Sequence, residues 1–214
     1  MTDATKTLLS LPVLLSLALL SRPASAQEPS NAVPAAESGT IQGTVKNRWL
    51  SRIEGAVYIE KIEGKTFDPP KEKASMDQKN TVFVPHVLVV MKGTTVEFPN
   101  SDTVRHNVFS SKSSSVPFNL GTYDPGATKD VVFDKPGENS LLCNVHSEMS
   151  AFVIVTETPW FATTDKKGAF TIPNVPAGKY RLTAWHEKLK SKTIDVTVEA
   201  GKTVTADFEG MENR

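Results

Sequence analysis

The sequence is poor in most of what common functional classes require. It holds one cysteine, Cys143, among 214 residues. An intrachain disulfide is therefore excluded, and an unpaired thiol in an oxidising compartment points to an intermolecular bridge, a free thiol or a metal ligand. Neither sign of charge is in excess, because 24 Lys and Arg face 24 Asp and Glu and the signs are interleaved. A clustered basic surface is lacking, which excludes nucleic-acid binding. Long apolar runs are scarce too. The run from Leu8 to Leu20 falls short of the roughly 20 residues of a spanning helix and stops at Arg22-Pro23. Beyond it no segment carries convincing helical periodicity.

What is present begins with a leader of recognisable design. Lys6, the apolar run and the small residues Ala24-Ser25-Ala26 read as a secretory signal peptide over residues 1–26. The expectation is an exported chain, periplasmic or secreted, that starts at Gln27 and keeps no membrane span. There is no cysteine near the cleavage site, so a lipid anchor is not expected. Losing Asp3, Lys6 and Arg22 leaves a single net negative charge. Residues 27–38 are rich in Pro, Ala, Ser and Glu and read as a flexible leader.

After the leader the period becomes two. Val96 and Phe98 alternate with Thr95 and Glu97, Ile194, Val196 and Val198 with Asp195, Thr197 and Glu199, and Val204, Ala206 and Phe208 with Thr205 and Asp207. These are half-buried strands. Turn signals punctuate them at Lys92-Gly93, Pro125-Gly126, Pro136-Gly137, Lys167-Gly168, Ala177-Gly178 and Ala200-Gly201. The fold class is all-β, built as β-sandwiches. The charged stretch from about Glu63 to Asn80, with Pro69-Pro70, reads as a loop or boundary, and a second boundary falls near Thr158-Pro159.

One constellation carries chemistry. Cys143, His146 and Met149 form Cys-x-x-His-x-x-Met after the apolar pair Leu141-Leu142, and His106 lies upstream, just after another strand. One thiolate, two imidazoles and a thioether are the donor set of a blue-copper electron-transfer site, with Met as weak axial ligand. Cu(I) favours soft sulfur and Cu(II) favours nitrogen, so a rigid mixed site lowers the reorganisation between them. The plainer alternative makes Cys143 a buried structural thiol, the histidines surface residues and Met149 core filler. All four in this order, in a strand-and-turn context, favour one copper ion.

The stretch from about Asn80 to Glu157 resembles the plastocyanin and azurin family of cupredoxins, on FVPHVLVVMKGTTVEFPN, HNV and FDKPGENSLLCNVHSEM. The short spacing within the ligand loop is most similar to amicyanin. The resemblance implies a Greek-key β-sandwich with His106, Cys143, His146 and Met149 as copper ligands. It also implies that the Asn107 side chain ties the two ligand loops together. Val145 stands where the family often has proline, and Ser147 and Glu148 fill the rest of the loop. The other two histidines, His86 and His186, are read as structural. A second metal site at His186 is the lesser alternative, because Trp185-His186-Glu187 reads as a polar strand end.

A second module follows. The segment PWFATTDKKGAFTIPNVPAGKYRLTAWHE resembles the carboxypeptidase regulatory-like or transthyretin-like β-sandwich, and carries no peptidase chemistry. About 50 residues are short for an independent sandwich, and Gly39 to Gly64 resembles its first two strands. The expected organisation is a cupredoxin domain of residues 72–157 inserted into a split sandwich of 39–66 and 158–210. The alternative divides the chain into a 39–157 cupredoxin and a 158–210 module. The whole pattern is similar to exported methylamine-utilisation-type or plastocyanin-like proteins. The resemblance implies a one-electron carrier and not an enzyme, acting with a redox partner protein. Copper binding and delivery with a copper-handling partner, or an interaction protein with a vestigial site, are the competing expectations.

Overall fold

The computed structural model describes residues 37–214; residues 1–36, which include the expected signal peptide and most of the leader, lie outside the described residues. The described chain is all-β. In chain order its strands are β1 (Ser38–Thr44), β2 (Ala56–Ile59), β3 (Ala74–Ser75), β4 (Asp77–Lys79), β5 (Val82–Val84), β6 (Val87–Met91), β7 (Thr94–Pro99), β8 (His106–Ser110) and β9 (Asn119–Tyr123). They continue with β10 (Thr128–Phe133), β11 (Gly137–Leu142), β12 (Ser150–Thr156), β13 (Phe161–Thr163), β14 (Ala169–Pro176), β15 (Gly178–His186), β16 (Leu189–Val198) and β17 (Thr203–Thr205). A 3-10 turn, Arg48–Ser51, follows β1 and is capped by the Asn47 side chain, which accepts from the Trp49 N–H. Ser38, grouped with the leader on composition, opens β1.

Four sheets stack as layers, in the orders β10-β7-β3, β6-β12-β11-β8-β9, β13-β2-β15-β16 and β14-β1-β17, with β4 and β5 as a separate hairpin. Three apolar layers fill the gaps. Between the first two sheets lie Val96 and Phe98 of β7, Phe133 of β10, Val108 of β8, Leu141 of β11 and Ala151, Val153 and Val155 of β12. Between the last two lie Ile41, Val57, Ile59, Phe170, Ile172, Leu182, Val196 and Phe208. A thinner layer of Ala56, Val87, Val89, Ile154 and Trp185 joins the middle sheets. The sequence of β6 and β12 reflects this: VLVVM and SAFVIVT are apolar on both faces because both faces are covered. Fully burying each large side chain contributes about 1.5–3 kcal/mol.

Strand β7 shows the strict alternation its sequence implies, with Thr94, Val96 and Phe98 inside. The charged stretch before it departs from the loop expectation. Ala74–Ser75 runs parallel to β7, and Asp77–Lys79 pairs with β5. Met76 and Gln78 are fully buried there, so a period-two pattern is present but hidden among lysines and glutamates. Both β1 and β2 pair within the later part of the chain. β1 lies antiparallel to β14 and parallel to β17, and β2 lies between β13 and β15. At Gly43 a Cβ would stand 1.9 Å from the Ala206 carbonyl oxygen, so only glycine admits this approach.

The middle seam is pinned by polar contacts at its rim. Trp185 Nε1 donates to Glu138 Oε2 at 2.8 Å, and the Arg214 guanidinium grips both Glu138 oxygens at 3.1 and 2.8 Å. Nearby, His86 Nε2 lies 2.8 Å from Glu187 Oε2, and the Glu187 side chain is only 7% exposed. The hydrogen bond from His86, with Lys188 adding to it, outweighs burial and pulls the Glu187 carboxyl down to about 2. A carboxyl depressed on folding stabilises the fold above its unfolded value of about 4.3, and that contribution is lost as pH falls toward 2. Thermal unfolding of the unchanged protein and of Glu187→Gln should therefore differ most at neutral pH, with the gap closing between pH about 4.5 and 2. A gap that stays constant through that window would show that the pair adds nothing to stability.

Candidate metal centre

Three of the candidate ligands, His106, Cys143 and His146, meet at one end of the first sandwich because of strand register. β11 pairs antiparallel with β8, setting Leu141 opposite Ser110 and Leu142 opposite Phe109. The end of β11 therefore lies beside the end of β8, and the chain past Leu142 runs back along β8 toward its first residue, His106. On β11 the inward positions are Asn139 and Leu141, and the same parity carries Cys143 inward just past the strand end. On β12, Ala151 and Val153 face the same core, and Met149 continues their parity on the other side of the loop. His146 stands within that loop, and its carbonyl accepts the Met149 N–H at 3.1 Å.

The nitrogen and sulfur atoms of His106, Cys143 and His146 all lie within 4.8 Å of one another. His106 is fully buried, Cys143 is 4% exposed, Met149 is 1% exposed, and His146 is half-buried. The two Nδ1 atoms are 3.1 Å apart. Nitrogens bound to one ion at about 2.0 Å each in a tetrahedral arrangement stand about 3.3 Å apart, so the pair is spaced to share a metal. A thiol beside two imidazoles is a donor set suited to copper. These residues fit the ion that the sequence implies.

Around them the protein supplies fixed partners. The Asn107 backbone N–H points at Cys143 Sγ at 3.5 Å, so the link between the two ligand segments is made by the main chain. The Asn107 side chain, expected to make that link, instead donates to Asn119 Oδ1 on β9 at 2.9 Å. Its own Oδ1 is buried without a partner. Asp102 is a site residue that sequence reasoning passed over. Its Oδ2 lies 3.0 Å from His106 Nε2, four residues along, and also accepts the Thr81 N–H at 2.7 Å, while Oδ1 accepts the Thr103 N–H. The Thr81 N–H, the His106 ring and the Thr103 N–H together hold the Asp102 carboxyl down at about 2. An aspartate four residues before a ligand histidine was the available signal.

His86 and His186 stand apart from this cluster. His186 is fully buried rather than exposed, which corrects the reading of its strand end as polar surface. Both of its ring nitrogens are occupied, Nδ1 accepting the Lys188 N–H at 3.1 Å and Nε2 facing the Ile53 carbonyl at 3.3 Å. Burial pushes its pKa below the ordinary histidine value. His86 is engaged by Glu187 and stacks edge-on against Phe152. Among the described residues, His106, Cys143 and His146 are the one group of His, Cys, Asp or Glu side chains drawn together as a metal site.

Comparison with known proteins gives partial likenesses. A family model described as polysaccharide lyase family 4, domain II, matches residues 155–206, where the residue pattern had resembled a carboxypeptidase regulatory-like module. No curated protein matches the chain. Among solved structures, a purple cupredoxin from Nitrosopumilus maritimus is 24% identical, with 39% of this chain and 100% of that one covered and a TM-score of 0.36. A Cu-containing nitrite reductase from Thermus scotoductus SA-01 is 23% identical, with 55% and 28% covered and a TM-score of 0.39. A reduced mutant of amicyanin is 19% identical, with 40% and 84% covered and a TM-score of 0.38.

Proposed function

We propose that this protein is an exported one-electron carrier that holds one copper ion through His106, Cys143 and His146, with Met149 as a weak fourth ligand. The observation that carries the reading is the convergence of two imidazole nitrogens and one buried, unpaired thiol within 4.8 Å. Bound copper would supply a centre that changes its charge by one electron. The chain's own residues do the rest. Cys143 provides a sulfur shielded from water, the Asn107 N–H is directed at it, and the β8–β11 pairing keeps ligands from two segments in fixed relation. His146 is the half-buried member of the cluster, so its ring edge is the exit toward a redox partner. Four protein donors leave no open position for a substrate, which favours electron transfer over enzymatic turnover.

The visible spectrum after adding Cu(II) to the purified protein tests this directly. An intense sulfur-to-copper charge-transfer band is expected, and Cys143→Ser should abolish it while the fold survives. Persistent colour in that variant would refute the ligand assignment. Met149→Leu should keep copper and raise the reduction potential, because a weak thioether donor would stabilise Cu(II) more than Cu(I); complete loss of copper would contradict the role of Met149 as a weak fourth ligand. Tight Cu(I) binding without colour would instead favour a copper-delivery protein.

The same reading extends to organisation and location. Residues 39–66 and 158–210 form one split sandwich of carboxypeptidase regulatory-like type around a 72–157 copper domain, a division favoured by the pairing of β1 and β2 with β13, β14, β15 and β17. In amide hydrogen exchange, β1 and β2 should then lose protection together with β14 and β15, and exchange in step with β7 would sink the division. No helix among the described residues is long and apolar enough to cross a membrane. The signal-like pattern of residues 1–26 supports export to the periplasm. Amino-terminal sequencing of the exported protein should begin at Gln27, and an unprocessed amino terminus would contradict export by this route.

A further inference from the structure

His106 has two ring nitrogens with different neighbours. Nδ1 faces His146 Nδ1 in the ligand cluster, and Nε2 faces Asp102 Oδ2 at 3.0 Å. An ionised carboxylate can only accept a hydrogen bond, so the ring proton sits on Nε2 and the Nδ1 lone pair is turned to the metal position. The ring itself is fully buried, and the Asp102 side chain is only 10% exposed. This charge is therefore screened far less than a surface carboxylate.

Asp102 is itself held from two further directions. The Thr103 N–H donates to Oδ1, and the Thr81 N–H donates to Oδ2 at 2.7 Å. Thr81 belongs to the turn between β4 and β5, where Asn80 and Thr81 both have positive φ, 54° and 56°. A two-residue hairpin turn of this kind asks for φ above zero at both positions, and a β-branched residue is rarely found there. The hydrogen bond to Asp102 anchors this unusual turn against the ligand edge. In return, the carboxylate is fixed by groups outside the ligand loops.

We propose that Asp102 is a positioning residue for the metal centre: its carboxylate commits the His106 proton to Nε2, reserves Nδ1 as the ligand atom, and places a fixed negative charge behind the ring that favours Cu(II) over Cu(I). This rests on the copper reading above. Carboxylates that accept from a ligand histidine orient the ring and raise its basicity, and removing them typically weakens metal binding about 10- to 100-fold.

The experiment compares copper-loaded protein with its Asp102→Asn variant by visible spectrum, Cu(II) affinity and redox titration. The amide oxygen of Asn can still accept from Nε2–H, so the variant removes the charge and spares the tautomer. Its charge-transfer band should persist, while Cu(II) affinity falls about tenfold relative to Cu(I); a tenfold change of that ratio is a rise of about 59 mV in a one-electron potential. A lower melting temperature with an unchanged potential would mean a merely structural role and would overturn the proposal. The metal-free protein provides an independent arm. Nitrogen NMR of the His106 ring should show the proton on Nε2, and a proton on Nδ1 would overturn the proposal even if the variant failed to fold. Absence of colour in the unchanged protein together with an Nε2 proton would count against copper while leaving the orientation of His106 by Asp102 intact.

Discussion

The antiparallel register between β8 and β11 is the constraint on which the candidate centre depends. Leu141 faces Ser110 and Leu142 faces Phe109, and the next inward position past the end of β11 is Cys143. A slip of one residue would turn Cys143 out to solvent and Leu142 into the core, since side chains alternate faces along a strand. The register is resistant to slipping because Leu141 of β11 and Val108 of β8 are completely buried in one core with Phe98 and Phe133, and the fully buried Asn139 accepts the Val116 N–H at 2.7 Å. The apolar core thus sets the position of the sulfur. The Asn107 N–H directed at Sγ is a consequence of the same pairing.

Buried polar groups then refine what the apolar core sets coarsely. Tyr123 sits opposite His106 across β8 and β9, and its hydroxyl donates to the Phe98 carbonyl at 2.9 Å while accepting from Gln78 Nε2. Gln78 reaches the Pro99 carbonyl as well. Polar groups in a low-dielectric interior are costly unless paired, so a chain of pairings of this kind rigidifies the wall it crosses. It runs from β4 through β7 to β9, immediately behind the histidine. Burial pushes the Tyr123 hydroxyl up to about 12, so it remains a neutral donor in this network.

Much of this was legible in the sequence, and the illegible parts share a cause. Alternation in Val96 and Phe98, or in Val196 and Val198, reveals strands because one face is apolar and the other polar. The loop residues Cys143, His146 and Met149 stand out because their chemistry is rare and their spacing is short. By contrast, Met76 and Gln78 are buried between the polar or charged Ser75, Asp77 and Lys79, and a polar Gln at an inward position breaks the apolar pattern that reveals strands. Trp185-His186-Glu187 reads as a polar strand end, yet His186 is fully buried and its Nε2 faces the Ile53 carbonyl, distant in sequence. Asp102 was missed for a related reason: its partner Thr81 is 21 residues away and contributes only a backbone N–H, which no side-chain pattern reports.

The seam between the middle sheets bears on how the two halves move. Its apolar layer is thin, and Trp185 supplies the largest side chain, packing at a tilt against Phe152 at 5.2 Å between ring centres. Such a layer would tolerate sliding if nothing marked its edges. Charged contacts at the rim remove that freedom, because the Glu138 carboxylate takes the Trp185 indole and the Arg214 fork at once, and bidentate pairing is directional as well as attractive. Glu138 lies on β11, the strand that delivers Cys143, while Trp185 lies on β15. Through β11, one strand carries both the sulfur of the candidate centre at one end and the attachment to the neighbouring sheet at the other. The sheet that holds Trp185 is thereby tied to the strand that ends at the ligand edge.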